Sequence, residues 1–195
     1  MSAVAPNAQH FYGHLLPLQG RAILLPKQAM VEAVSMETVT ASEGPEWFLG
    51  YCEWQDRRVP AVSIEAMLGG EVGLRGRRTR VAILNSVGSA LPEGLFAVMT
   101  TAYPHLLPLN PLAVQPADDR DNDHDLALAR VRLANREAFV PDLEEIEKRI
   151  AAVMKEARST PRPAGAGDDG GKEQVDDSPL TDWEPSIDLG LPDDD

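Results

Sequence analysis

With 195 residues and a formal net charge of −13, the chain has room for one domain and an appended tail. Residues 159–195 carry 2 basic and 11 acidic residues, a net of −9 that leaves −4 for residues 1–158, and neither part suits nucleic acid, whose phosphates repel a negative surface. The single cysteine, Cys52, excludes an internal disulfide framework and a Cys-rich zinc site.

Hydrophobic residues make up 43% of the chain and aromatics only 5%, so the core is expected to be mostly aliphatic. The first residues lack the basic and apolar regions of a signal peptide, and residues 1–8 read as a flexible N-terminus. No apolar run approaches the roughly 20 residues that span a bilayer, so the expectation is a cytoplasmic protein that is not membrane-inserted.

The body is expected over residues 9–158. Residues 9–18 read as a first strand, turned by Gln19-Gly20, and residues 21–34 as a long returning strand, with Pro17 and Pro26 marking edges or bulges because proline cannot donate to a ladder. A polar loop follows over residues 35–46. Residues 47–54 then form a strand apolar on both faces, Gln55-Asp56-Arg57 turns the chain, and residues 58–63 form the next strand. Ile64–Leu68 makes about one helical turn, stopped by Gly69-Gly70.

A basic loop, Leu74 to Arg78, leads into a half-buried strand with Val81, Ile83 and Val87 on one face. Residues 95–101 form another strand, and the proline-punctuated stretch 103–116 reads as irregular edge structure. Residues 118–125 form a charged loop. Ala129, Val131 and Leu133 alternate with arginines in a strand with one wet face, and residues 137–140 return. One helix is expected over residues 142–157, capped by Asp142 with Glu145 three residues on, and presenting Leu143, Ile146, Ile150, Val153, Met154 and Ala157 as a single stripe. Short strands with frequent Gly and Pro turns argue for closed or nearly closed antiparallel β architecture. Residues 159–195 read as a disordered acidic tail in which Trp183, Ile187, Leu189 and Leu191 mark a recognition segment at 182–191.

In order, Gly44-Pro45-Glu46-Trp47-Phe48-Leu49-Gly50, Arg58-Val59-Pro60-Ala61-Val62-Ser63-Ile64, Leu68-Gly69 and Thr79-Arg80-Val81-Ala82-Ile83-Leu84 resemble the CheW domain. Leu25-Pro26, Val31-Glu32-Ala33-Val34 and Pro141-Asp142-Leu143 continue the resemblance over about residues 10–157. It implies a mainly β fold of two packed, five-stranded SH3-like barrels with a C-terminal helix. It also implies no enzymatic activity, no cofactor and no metal. The expected role is an adaptor coupling the cytoplasmic tip of a chemoreceptor to the regulatory domain of a CheA-type histidine kinase, within membrane-associated receptor arrays. The overall flavour is similar to divergent CheW-like proteins of type IV pilus (Pil/Chp) clusters, which implies a link to twitching motility. Glu32, Trp47, Trp54, Gln55, Arg57, Arg58 and Pro60 are the protein-binding residues this implies. The family's turn arginine and glycine fall at Gln55 and Asp56, and its strand aspartate at Ser63.

Other readings of the same residues stand beside this one. Phe48 reads as core, while Trp47 and Trp54 fit either core or interface anchors. Cys52 paired with His10, His14, His105 or His124 would make a small cytoplasmic hydrolase, but its apolar strand favours a buried thiol. The Asp-rich loop 119–125, an alternative centre for a hydrolase, imitates a calcium loop but has His124 at the glycine position and Arg130 at the terminal glutamate position. Arg75, Arg77, Arg78 and Arg80 suit a solvated turn or a dock for acidic protein surface such as the chain's own tail. A scaffolding CheW paralogue with a different partner is the remaining alternative.

Overall fold

The computed structural model describes residues 11–73, 75–110, 114–117, 126–133 and 136–159. Residues 1–8, His10, the Asp-rich loop, His124 and the segment 182–191 lie outside the described residues. The elements described here all belong to the unit Met1–Pro161.

The strands are β1 Phe11–Pro17, β2 Ala22–Pro26, β3 Met30–Ser35, β4 Val39–Thr40, β5 Phe48–Trp54, β6 Arg57–Val62, β7 Arg80–Asn85, β8 Leu95–Thr100, β9 His105–Leu109, β10 Val114–Pro116, β11 Ala127–Leu133 and β12 Arg136–Pro141. A short helix α1, Ile64–Met67, follows β6, and α2, Leu143–Ser159, follows β12. The strands form two six-stranded sheets: a first sheet in the order β10-β11-β12-β2-β1-β9 and a second in the order β3-β7-β8-β6-β5-β4. The fold is mainly β, two curled half-barrels and one C-terminal helix. Beyond the five strands per barrel that the resemblance implies, each sheet has a very short edge strand, β4 or β10.

Three apolar cores account for this architecture. One lies within the second sheet, around Leu49, Cys52, Val59, Val81, Ile83 and Ala97. A smaller one lies within the first sheet, around Leu15, Ala22, Leu24 and Ala138. The largest joins both sheets and α2 through Leu16, Ile23, Val62, Leu84, Phe96, Phe139, Ile146 and Ile150. Strand alternation sends successive residues into different cores: in β7, Val81 and Ile83 point into the second sheet while Ala82 and Leu84 point to the shared core.

Several expectations change here. The apolar run 21–34 is two strands in two different sheets, because a single 3-10 turn over Lys27–Ala29, just after Pro26, redirects the chain. The loop 35–46 contains another 3-10 turn, Met36–Thr38, and β4. The strand β7 is buried on both faces rather than half-buried, and Val87 lies beyond it, 57% exposed. The stretch 103–116 contains β9 and β10, which are the two edges of the first sheet, so its edge position is as expected and its irregularity is not. In β11, a register shift between Ala127 and Ala129 leaves Ala129 exposed, while Val131 and Leu133 pack on the first sheet's core. In α2 the cap is made as predicted, the Glu145 N–H donating to Asp142 Oδ1 at 3.0 Å, but Ala157 is exposed.

Candidate functional site

The resemblance points to the β5–β6 hairpin. Trp54 pairs directly with Arg57, so the connection is the two residues Gln55-Asp56, with Arg57 already in the strand. Both have left-handed backbone, φ 47° and 60°, the pattern of a type I′ turn whose twist matches the flanking strands. Neither is glycine, so the tip carries local strain. At the other end of β5, Gly50 sits at φ 116° beside a register shift, and a Cβ there would run into the Thr40 carbonyl oxygen. The Leu49-Gly50 step is therefore a backbone requirement, since only glycine fits both the angle and the space.

The implied binding residues divide between the two faces of this hairpin. On one face, Trp54 Nε1 donates to Glu32 Oε2 at 2.8 Å. Glu32 belongs to β3, at one end of the second sheet's ladder, and Trp54 to β5, next to the other end. This side-chain bond closes the curl where the two-residue β4 stops short of pairing Trp54. Trp54 also packs on the second sheet's core, so it is half-buried. Opposite it in register, Arg57 is exposed, and its side chain has no hydrogen bond or ion pair among the described residues.

On the other face, Arg58 reaches Glu53 at 3.6 Å and lies over the Tyr51 ring, 4.4 Å from its centre. Tyr51 meets Phe48 edge-on at 5.5 Å, and Phe48 meets Trp47 edge-on at 6.2 Å. Phe48 is buried, while Trp47 and Tyr51 are partly buried against the shared core. Gln55 is exposed at the tip. Pro60 is buried opposite Tyr51, at a point of β6 that the parallel pairing with β8 through Ala61 and Val62 does not reach. That gap on one side is what lets a proline stand in an interior strand. The structure thus brings together Glu32, Trp54 and Arg57 on one side and Trp47 and Arg58 on the other, with Gln55 between.

The cysteine chemistry is unpromising. Cys52 is fully buried, its Sγ is 3.2 Å from Thr38 Oγ1, and burial is the main influence pushing its pKa up, which keeps it a thiol. The described histidines, His14 and His105, belong to β1 and β9 of the other sheet.

Two carboxylates escaped the sequence reading. Glu147 of α2, 1% exposed, accepts hydrogen bonds from Ser86 Oγ (2.6 Å), the Val87 N–H (2.6 Å) and the Gly88 N–H (2.9 Å). It ties the helix to the β7–β8 connection, and a Cβ at Gly88 would lie 2.9 Å from Glu147 Oε2, so a larger residue there would push the carboxylate aside. The signal was present, since Glu147 stands four residues after Leu143 within the apolar stripe, where an acid needs a buried partner. Glu65 of α1 is also buried, and desolvation raises its pKa, opposed by a Gln19 backbone hydrogen bond and by Arg21.

Among the described residues no helix is long and apolar enough to cross a membrane. No protein-family model and no curated protein matches the chain. Among solved structures it is similar to the scaffolding protein TtCheW from Thermoanaerobacter tengcongensis, with a TM-score of 0.57 and 14% identity over 69% of this chain and 90% of that one. At that identity the likeness is one of fold, and the protein has a CheW-like fold.

Proposed function

We propose that the protein is a non-catalytic, cytoplasmic adaptor in a bacterial chemosensory pathway. In this reading it docks on the regulatory domain of a CheA-type histidine kinase and on the cytoplasmic tip of a chemoreceptor, within a type IV pilus system controlling twitching motility. The observation that carries the reading is the β5–β6 hairpin on a fold shared with a scaffolding protein. Trp54, next to the turn, is fixed by its bond to Glu32, and the tip presents Gln55 and an Arg57 that is unpaired among the described residues. A half-buried tryptophan beside an exposed arginine is the makeup of an interface anchor. The buried, un-ionised Cys52 argues against the hydrolase alternative. The segment 182–191, with Trp183, Ile187, Leu189 and Leu191, is proposed as an additional, tethered contact for a partner.

Titration of the protein against a kinase regulatory domain and a receptor tip tests this. Arg57→Glu combined with Arg58→Glu is expected to weaken binding by about ten-fold or more, with an unchanged circular dichroism spectrum. Unaltered binding to both partners removes the hairpin from the interface. Loss of the receptor alone, with the kinase retained, assigns the hairpin to the receptor. Failure of the unaltered protein to bind either partner favours the paralogue reading.

A further inference from the structure

The loop before β7 is built to hold its own arginines outward. The Thr79 N–H donates to the Gly76 carbonyl at 3.0 Å, closing a four-residue turn whose central positions are Arg77 and Arg78. The Gly76 N–H in turn donates to Thr79 Oγ1 at 2.8 Å, and Thr79 is only 4% exposed, so the turn is anchored from below. Arg80 completes the lock. Its Nη1 donates to the carbonyls of Arg77 (2.9 Å) and Thr79 (2.7 Å), and its guanidinium lies 4.3 Å from the centre of the Tyr103 ring.

Arg80 is therefore consumed in holding the loop, and Arg75, Arg77 and Arg78 are exposed, with no side-chain hydrogen bond or ion pair among the described residues. Three cations crowded over four residues, in a body of net charge −4, repel one another in the free protein. An arrangement of crowded like charges, unpaired among the described residues, is complementary to an acidic segment.

We infer that the loop at residues 75–80 is a docking surface for an acidic peptide segment of a partner protein. Arg77 and Arg78 side by side at the centre of the turn, with Arg75 just before it, are three separate charges, which suits several carboxylates of a peptide rather than one small anion. A bilayer fits less well, because a polybasic patch alone holds a protein weakly to lipid. Nucleic acid is disfavoured by the net negative charge of the rest of the body. The surface is separate from the hairpin proposed above, and its arginines take no part in that site.

The test is fluorescence anisotropy of a labelled deca-glutamate peptide with the full chain at low salt. Replacing Arg75, Arg77 and Arg78 together by serine is expected to weaken binding by about ten-fold, the combined effect of three exposed ion pairs. Replacing Arg57 and Arg58 by serine is expected to leave it unchanged. Equal weakening by both variants, or no weakening by the triple variant, overturns the assignment. So does tighter capture by phosphatidylserine vesicles than by the peptide through the same three arginines, which would make the loop a lipid contact. Arg80→Lys keeps the charge but loses the forked donation to two carbonyls, and is expected to weaken peptide binding about three-fold. Full retention in that variant shows that the fixed shape of the loop plays no part.

Discussion

Glu147 shows how much one side chain can organise when its acceptors are all used. Its buried carboxylate takes three donors, so removing it leaves the Val87 and Gly88 N–H groups without their acceptor, while the Ser86 hydroxyl keeps only the Gly88 carbonyl at 3.2 Å. Glu147→Ala is expected to cost about 3 kcal/mol in denaturant unfolding and to speed hydrogen exchange at Val87 and Gly88. Two other residues set opposite pH responses. His14 titrates below its ordinary 6.5, first because burial disfavours its cation and second because Lys27 repels it, and its Nδ1 is buried without a partner among the described residues. Between its folded pKa and 6.5 the unfolded chain binds more protons than the folded one, so stability falls as pH drops through that window. Glu65 titrates above its ordinary 4.5, so there the folded chain binds more protons, and stability falls as pH rises from 4.5 toward the folded value. Urea midpoints measured against pH are expected to lose the first slope in His14→Gln and the second in Glu65→Gln. An unchanged profile in either variant shows that its side chain is not the titrating group.

At the scale of elements, α2 carries the clearest link between pattern and packing. Ile150 is fully buried in the core shared by both sheets, so Ile150→Asp is expected to destabilise by about 3–5 kcal/mol, read as a lowered denaturation midpoint. A variant that melts like the parent would show that the stripe is not docked. This helix was legible because its cap and its apolar stripe pointed the same way. The β5–β6 hairpin was legible for a different reason, its order of apolar strands around a polar turn, although the turn proved one residue shorter than the sequence suggests. The break between β2 and β3 was not legible. Apolar residues continue across it, and what divides them is which sheet each half joins, a tertiary choice that local pattern does not encode. The edge strands β9 and β10 were hidden by their prolines, which weaken the strand signal at the sheet margins where proline is tolerated. Within the candidate site, the bond from Trp54 to Glu32 joins residues on strands far apart in the chain, and spacing gives no hint of it.

At the scale of the whole molecule, the order of strands separates the two sheets in a particular way. The second sheet is drawn from one continuous stretch, β3 to β8, whereas the first takes β1 and β2 from before that stretch and β9 to β12 from after it. The parallel register of Phe139 with Ile23 is the place where the early and late parts of the first sheet are tied through β12, and β1 with β9 is the other. Both ties wait for everything between them. Since closing a long loop costs entropy before its contacts repay it, the refolding chain is expected to organise the second sheet before the first. In stopped-flow chevrons, Val81→Ala in β7, a residue of the second sheet's own core, is then expected to slow refolding, with a φ-value of about 0.5–0.8. Phe139→Leu in β12 is expected to act almost wholly on the unfolding rate. The reverse pattern would place the nucleus in the sheet that holds the first strand, and would mean that the first sheet draws its two halves together while the stretch between them is still unfolded.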